Sequence, residues 1–130
     1  MHVPASVRGF AIMRVGAGLT AIAAPSVLAR LFGISTAEAR SPLAATTSAF
    51  FGIRELGMAT VTLGATPSEP RALRRLLVVN AATDGLDLLV LGVQAVRRPR
   101  LRRGVLLFGP GAVLSVVLHL RAAQRVEMLP

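Results

Sequence analysis

The sequence predicts an all-α protein: an antiparallel four-helix transmembrane bundle with a short interfacial helix after the first span. Three observations point there. Apolar residues make up 53% of the 130-residue chain and charged residues 16%, with a mean hydropathy of +0.63. Soluble domains carry about 25% charged residues, so a water-soluble bundle of this composition would have little with which to cover its outside. The apolar residues also gather into four segments of about 20 residues, the length that crosses a hydrocarbon core of about 30 Å. Finally, no segment alternates polar and apolar with period two, so strands are not expected.

The first span runs over about 6–24 and is ended by Pro25. Its position resembles that of a secretory signal. Arg14 interrupts the apolar run, however, and three more apolar segments follow, so a retained first helix is expected. The next stretch, PSVLARLFGI, has Val27, Leu28, Leu31 and Phe32 on one helical face and Arg30 on another. Such a short amphipathic piece is expected to lie flat at the interface. STAEARSP reads as a loop, with Ser41 and Pro42 marking the next helix start. The second span covers about 43–64, Pro67 and Pro70 bracket a tight turn, and the third span covers about 72–96. RRPRLRR follows, then a fourth span over about 104–121 and a polar tail. One integral membrane domain accounts for the whole chain.

The formal charge is +9, and every basic residue is Arg. Nucleic acid is the first partner such a charge suggests. Here the Arg residues sit at the ends of apolar segments, where membrane proteins place them. Lys, Trp and Tyr are absent, so there is neither a stacking platform for bases nor an aromatic belt. The expected partners are membrane lipid and a hydrophobic small molecule, not nucleic acid. The expected location is the cell membrane, multi-pass. Orientation stays open, because six Arg flank the spans on one side and seven on the other. With no Cys and two isolated His, neither a metal site nor a cofactor is expected.

Each span carries two Gly seven residues apart: Gly9/Gly16, Gly57/Gly64, Gly85/Gly92 and Gly104/Gly111. Seven residues is nearly two turns, so each pair shares a face. Small residues let helices approach closely in lipid. These faces are expected to pack the bundle, with self-association into a homo-oligomer as the alternative.

The chemistry-bearing residues lie inside the spans. Ser48, Glu55 and Thr62 form one stripe on the second span, and Arg54 lies on a neighbouring one. Asn80, Asp84 and Asp87 form a stripe on the third span. The first span adds Arg14; the fourth adds Ser115 and His119. Measured from the end nearer the second loop, Arg14, Glu55, Asp84 and Asp87 lie at depths of about 12, 14, 18 and 22 Å at about 1.5 Å per residue. Inserting each charge at mid-bilayer costs about 2.5–3.5 kcal/mol, so the five are expected to meet. Two guanidinium groups then face three carboxylates, and one acid is expected to keep its proton, shared by Asp84 and Asp87. The competing reading is structural. Intramembrane Arg–Asp pairs can fix which helix packs where, Asn80 can join two helices, and His119 can sit at the interface.

GIRELG at 52–57, with ATDGLDLL some 25 residues later, resembles a family of small four-helix membrane proteins of unknown function. That family is common in actinobacteria and carries a G-x-R-[DE]-L pattern in its second helix. The first segment, with Pro25 and LFGI, is distantly similar to DoxX-like proteins. The resemblance implies the four-helix architecture and no activity.

Three functions fit these residues. The first is a membrane-embedded acid/base enzyme, an isomerase or cyclase acting on a polyene- or terpenoid-like substrate. Glu55, Asp84 and Asp87 would be catalytic, and Arg14, Arg54, Asn80 and His119 would position the substrate or tune the acids. The second is a non-catalytic membrane subunit or scaffold, in which every acid is paired with Arg. The third is a small proton-coupled transporter.

Overall fold

A computed structural model describes residues 3–65 and 69–127. Pro67 of the expected turn, and His2, lie outside the described residues. All regular structure among those residues is helical. Helix α1 spans Ala5–Ala23, α2 Pro25–Leu31, α3 Thr36–Ala39, α4 Pro42–Gly64, α5 Pro70–Arg97 and α6 Arg102–Glu127, with a 3₁₀ turn at Pro99–Leu101 before α6.

Prolines and side-chain caps set the helix boundaries. Pro25, Pro42 and Pro70 each sit in a first turn, where the missing N–H costs nothing. Ala24, held out of the helical region by the proline after it, turns the chain by 112° between α1 and α2. Ser41 caps α4 by accepting from the Ala44 N–H. The stretch expected as a loop contains α3, because Ser35 and Glu38 form a reciprocal capping box. The Ser35 hydrogen bonds, followed by the charge of Arg100, hold the Glu38 carboxyl below the usual carboxylate range. The fourth expected span ends at 121, yet α6 continues to Glu127. Ala122, Ala123 and Val126 are buried there with Val3, Val7, Leu73 and Leu77, and this contact extends the helix through a stretch that reads as polar tail.

α2, α3 and the 3₁₀ turn close one end of the molecule. Phe32 stacks on Phe108 with ring centroids 4.6 Å apart, a contact worth about 0.5–1.5 kcal/mol beyond its area. Gly104 lies directly beneath Phe32. Arg100 donates to both oxygens of Glu38, at 3.0 and 3.3 Å. Gly33 has φ +80°, and a Cβ there would lie 2.5 Å from the Arg100 carbonyl oxygen. Gly33→Ala is therefore expected to lose about 1–2 kcal/mol from backbone strain alone and to undock this end. Faster tryptic cleavage at Arg30 and Arg40, with the rest of the chain still protected, is the measurement that checks it.

The most extensive packing joins α1 to α4 and α5 to α6. On α1 the buried positions are Val7, Ala11, Arg14, Gly18 and Ala21; on α4 they are Gly52, Glu55, Ala59 and Thr62. The alternating spacing of four and three keeps each set on one face. Gly18 meets Gly52, and Ser48 donates to the Ala21 carbonyl at 2.8 Å. One expectation is corrected here. A Cβ added at Gly9, Gly16, Gly57, Gly64, Gly85, Gly92 or Gly111 would meet nothing within 4 Å, so of the seven-residue pairs only Gly104, beneath Phe32, makes a close contact. The close approach is made by Gly18 and Gly52, because they share a stripe with Arg14 and Glu55. α4 and α5, which follow one another across the short turn, do face each other, through Arg54–Asp87 and Asn80–Thr62, although their backbones are not among the extensively packed pairs. Long polar side chains occupy the space between them.

Burial is inverted relative to a water-soluble bundle. Arg14, Glu55, Thr62, Asn80, Asp84, Ser115 and His119 are buried, while Ile12, Leu43, Phe50, Val79, Leu86, Val96, Leu106 and Val113 are exposed, Val96 at 78%. Soluble chains rarely expose contiguous apolar surface on this scale. Two helices, Pro70–Arg97 and Pro99–Val126, are long and apolar enough to cross a membrane, and the bent pair of α1 and α2 makes a third if it counts as one span. The other expected span, α4, is not among them: Arg54, Glu55 and its hydroxyl residues lower its hydropathy.

Candidate functional site

Five charged side chains from three helices form one chain of ion pairs. Asp84 on α5 accepts from Arg14 on α1. The other terminal nitrogen of Arg14 donates to Glu55 on α4 at 2.7 Å. The second oxygen of Glu55 accepts from Arg54 at 2.7 Å. Arg54 in turn grips both oxygens of Asp87, at 2.6 and 2.8 Å. Signs alternate along the chain: acid, base, acid, base, acid. Each guanidinium is shared by two carboxylates, and its planar fork of five donors holds them in a fixed geometry that the point charge of a lysine ammonium would not impose.

The two ends differ. Arg14, Glu55 and Asp84 have side chains no more than 8% exposed, whereas Arg54 and Asp87 are each 35% exposed. The guanidinium of Arg54 also lies 5.1 Å from the centre of the Phe51 ring, a favourable cation–π distance. At the buried end, the Ser115 hydroxyl donates to the second oxygen of Asp84 at 2.6 Å. All six carboxylate oxygens therefore have a donor.

The expected convergence of Arg14, Arg54, Glu55, Asp84 and Asp87 is thus present in the geometry. The expected sharing of a proton between Asp84 and Asp87 is not. Residue 84 faces Arg14 and Ser115, and residue 87 faces Arg54, so the two acids lie at opposite ends of the chain. Three residues place them on one stripe about 60° apart around the axis, enough to direct them to different neighbours.

Asn80 and His119 stand beside the chain and donate to none of its carboxylates. Asn80 is 1% exposed and donates to the Thr62 hydroxyl at 2.9 Å, which itself bonds the Met58 carbonyl. Its own oxygen has no partner. His119 is buried within the bundle. Its Nδ1–H donates to the Ser115 carbonyl at 2.8 Å, so it reaches the acids only through Ser115. Ser115, His119 and Asp84 come together, but in the wrong order for a nucleophilic triad: the serine donates to the acid, and the histidine does not lie between them. The sequence places Ser115 beside His119 on the fourth span without giving it a role; the structure shows that its hydroxyl occupies the second oxygen of Asp84.

Ser115→Ala leaves the inner oxygen of Asp84 without a donor. The expected loss is about 1–3 kcal/mol, read as a lower unfolding temperature in detergent with unchanged helix content by circular dichroism.

Among the described residues no three His, Cys, Asp or Glu side chains are grouped to hold a metal ion. Clefts among the described residues include three of about 540, 430 and 370 Å³. None of them is lined by Glu55, Asp84 or Asp87. Comparison with known protein families, with curated proteins and with solved structures finds no match to this chain.

Proposed function

We propose that this chain is a multi-pass protein of the cell membrane, an antiparallel bundle of α1, α4, α5 and α6, acting as a non-catalytic subunit or scaffold. The apolar outer surface, which includes Leu43, Phe50, Ile53 and Val61 of α4, supports four spans where hydropathy alone supports two or three. The order of contacts supports the antiparallel arrangement: Arg14 meets Glu55 where Gly18 meets Gly52, and Thr62 meets Asn80 where Arg54 meets Asp87. The observation that carries the functional reading is the full occupation of the three acids. A general acid or base must reach a proton on its substrate within hydrogen-bond distance, and here every carboxylate oxygen already faces a protein donor. Intramembrane charges so paired select helix neighbours and register. The open glycine faces of α4 and α5 offer a partner helix close approach.

An acid/base isomerase or cyclase is the second reading. It is favoured by the partly exposed Arg54–Asp87 end and by the excess of one carboxylate over the guanidinium groups. Asp87→Asn in the native host separates the two. The subunit reading expects an unchanged isoprenoid and polyene profile, and a partner that co-purifies in fixed ratio with the unmodified chain in mild detergent. An altered lipid profile at undiminished protein level would overturn it in favour of catalysis.

A further inference from the structure

The largest of the three cavities lies away from the ion-pair chain. It is a cleft of about 540 Å³ between α2, the α3 loop and the first turns of α4, with the 3₁₀ turn over its mouth. That volume falls within the range of small-molecule sites. Its walls are mostly apolar, with Leu28, Phe32, Ile34, Leu43 and Phe51 beside the hydroxyl residues Ser41, Thr47 and Ser48. Leu43 is 77% exposed at its edge, so the cleft opens sideways onto the apolar outer surface.

The mouth is charged. Arg98, Arg100 and Glu38 line it. Arg100 and Glu38 neutralise one another. The Arg98 side chain has no hydrogen bond or ion pair among the described residues, which leaves one positive charge in excess. Arg97, Arg102 and Arg103 are exposed beside it. This group lies where α5 ends and α6 begins, the level at which a spanning helix meets lipid headgroups.

An occupant that fits must be apolar over most of its length, anionic at one end, and able to enter sideways from a bilayer. We propose that the cleft binds one anionic phospholipid, with an acyl chain along Phe32 and Phe51 and its phosphate on Arg98. The guanidinium fork matches two phosphate oxygens. The surrounding Arg residues raise the local concentration of anionic lipid without selecting a site. The site is separate from the ion-pair chain and rests only on the membrane part of the proposed function.

The test is native mass spectrometry of the full chain in neutral detergent, titrated with phosphatidylglycerol or phosphatidylcholine. One phosphatidylglycerol is expected to stay bound where phosphatidylcholine is lost. Arg98→Gln should weaken that binding about tenfold, and Ala44→Phe, which fills the cleft, should remove it. Arg103→Gln deletes the same charge outside the cleft and should weaken binding clearly less than R98Q, without loss of the preference for phosphatidylglycerol. Should Ala44→Phe fail to fold, the comparison of the two exposed Arg variants still decides. Equal losses in R98Q and R103Q, or equal retention of both lipids, would overturn the site. Displacement of the lipid by millimolar inorganic phosphate would make it a small-anion site and overturn the proposal as well. A chain that stays monodisperse without detergent would overturn the membrane reading itself, a failure distinct from that of the cleft.

Discussion

Arg14→Met is expected to cost the protein more stability than any other single substitution at the ion-pair chain. Arg14 is the only residue through which α1 joins that chain, and it is held by Glu55 of α4 and Asp84 of α5 together. Without it, Glu55 and Asp87 share the one guanidinium of Arg54, and Asp84 keeps only the Ser115 hydroxyl. Removing one partner of a buried ion pair costs about 3–5 kcal/mol, because the remaining charge is left uncompensated. Against a total stability of about 5–15 kcal/mol, that loss is enough to lower the folded yield. Arg14→Lys keeps the charge but offers one compact ammonium in place of a fork, so an intermediate loss is expected. The combination R14M/E55M/D84M removes both acids along with the cation and leaves Arg54 with Asp87. Replacing a buried ionic group wholesale by apolar residues is often neutral or stabilising, so this triple variant should recover most of what R14M loses. The measurement is the fraction of monodisperse protein left after heating in detergent. If R14M survives like the unmodified chain, the ion pairs do not hold α1. If the triple variant is as poor as R14M, the charges do more than fix the packing.

The meeting of these five charges is legible in the sequence because the physics is one-sided. An ionised group in an apolar segment has to find a partner, and helical spacing says which face it lies on. Which acid takes which base is a matter of a few tens of degrees around each axis, and spacing does not resolve that. Hence Asp84 and Asp87 look like a pair in the sequence and stand apart in the fold. The glycines teach a related lesson. Seven-residue spacing marks a shared face without saying which way that face points. Gly18 lies four residues after Arg14, and Gly52 lies three before Glu55, so the charged residues were the better guide to the seam. The S-T-A-E capping box of α3 was readable by rule, but the surrounding polar residues read as loop. The last turns of α6 were not readable locally. Ala122, Ala123 and Val126 are held by Val3, Val7, Leu73 and Leu77, all distant in sequence.

The seam between α1 and α4 carries the second large effect. Gly52→Ala is expected to destabilise, although alanine is the better helix former by about 1 kcal/mol. A Cβ at residue 52 would stand 2.6 Å from the Gly18 carbonyl oxygen and 2.6 Å from Ile22 Cγ1. The isoleucine can rotate away. The carbonyl is backbone and retreats only if α1 moves. Such movement is opposed one turn further along, where Arg14 is fixed to Glu55 at 2.7 Å, so the strain is shared between the seam and the ion pair. Overpacking of this kind costs about 1–3 kcal/mol, against which the propensity gain is the smaller term. Gly57→Ala supplies the control, five residues on in the same helix. A Cβ there meets nothing within 4 Å, so only the propensity gain of about 0.5–1 kcal/mol should remain, and the variant should be more heat-stable than the parent. Opposite signs for the two substitutions, read as unfolding temperatures in the same detergent, are the expected result. If both raise the unfolding temperature, α1 and α4 are not in backbone contact at Gly18 and Gly52. The geometry that brings Arg14 to Glu55 would then have to be replaced by one in which α1 stands further out.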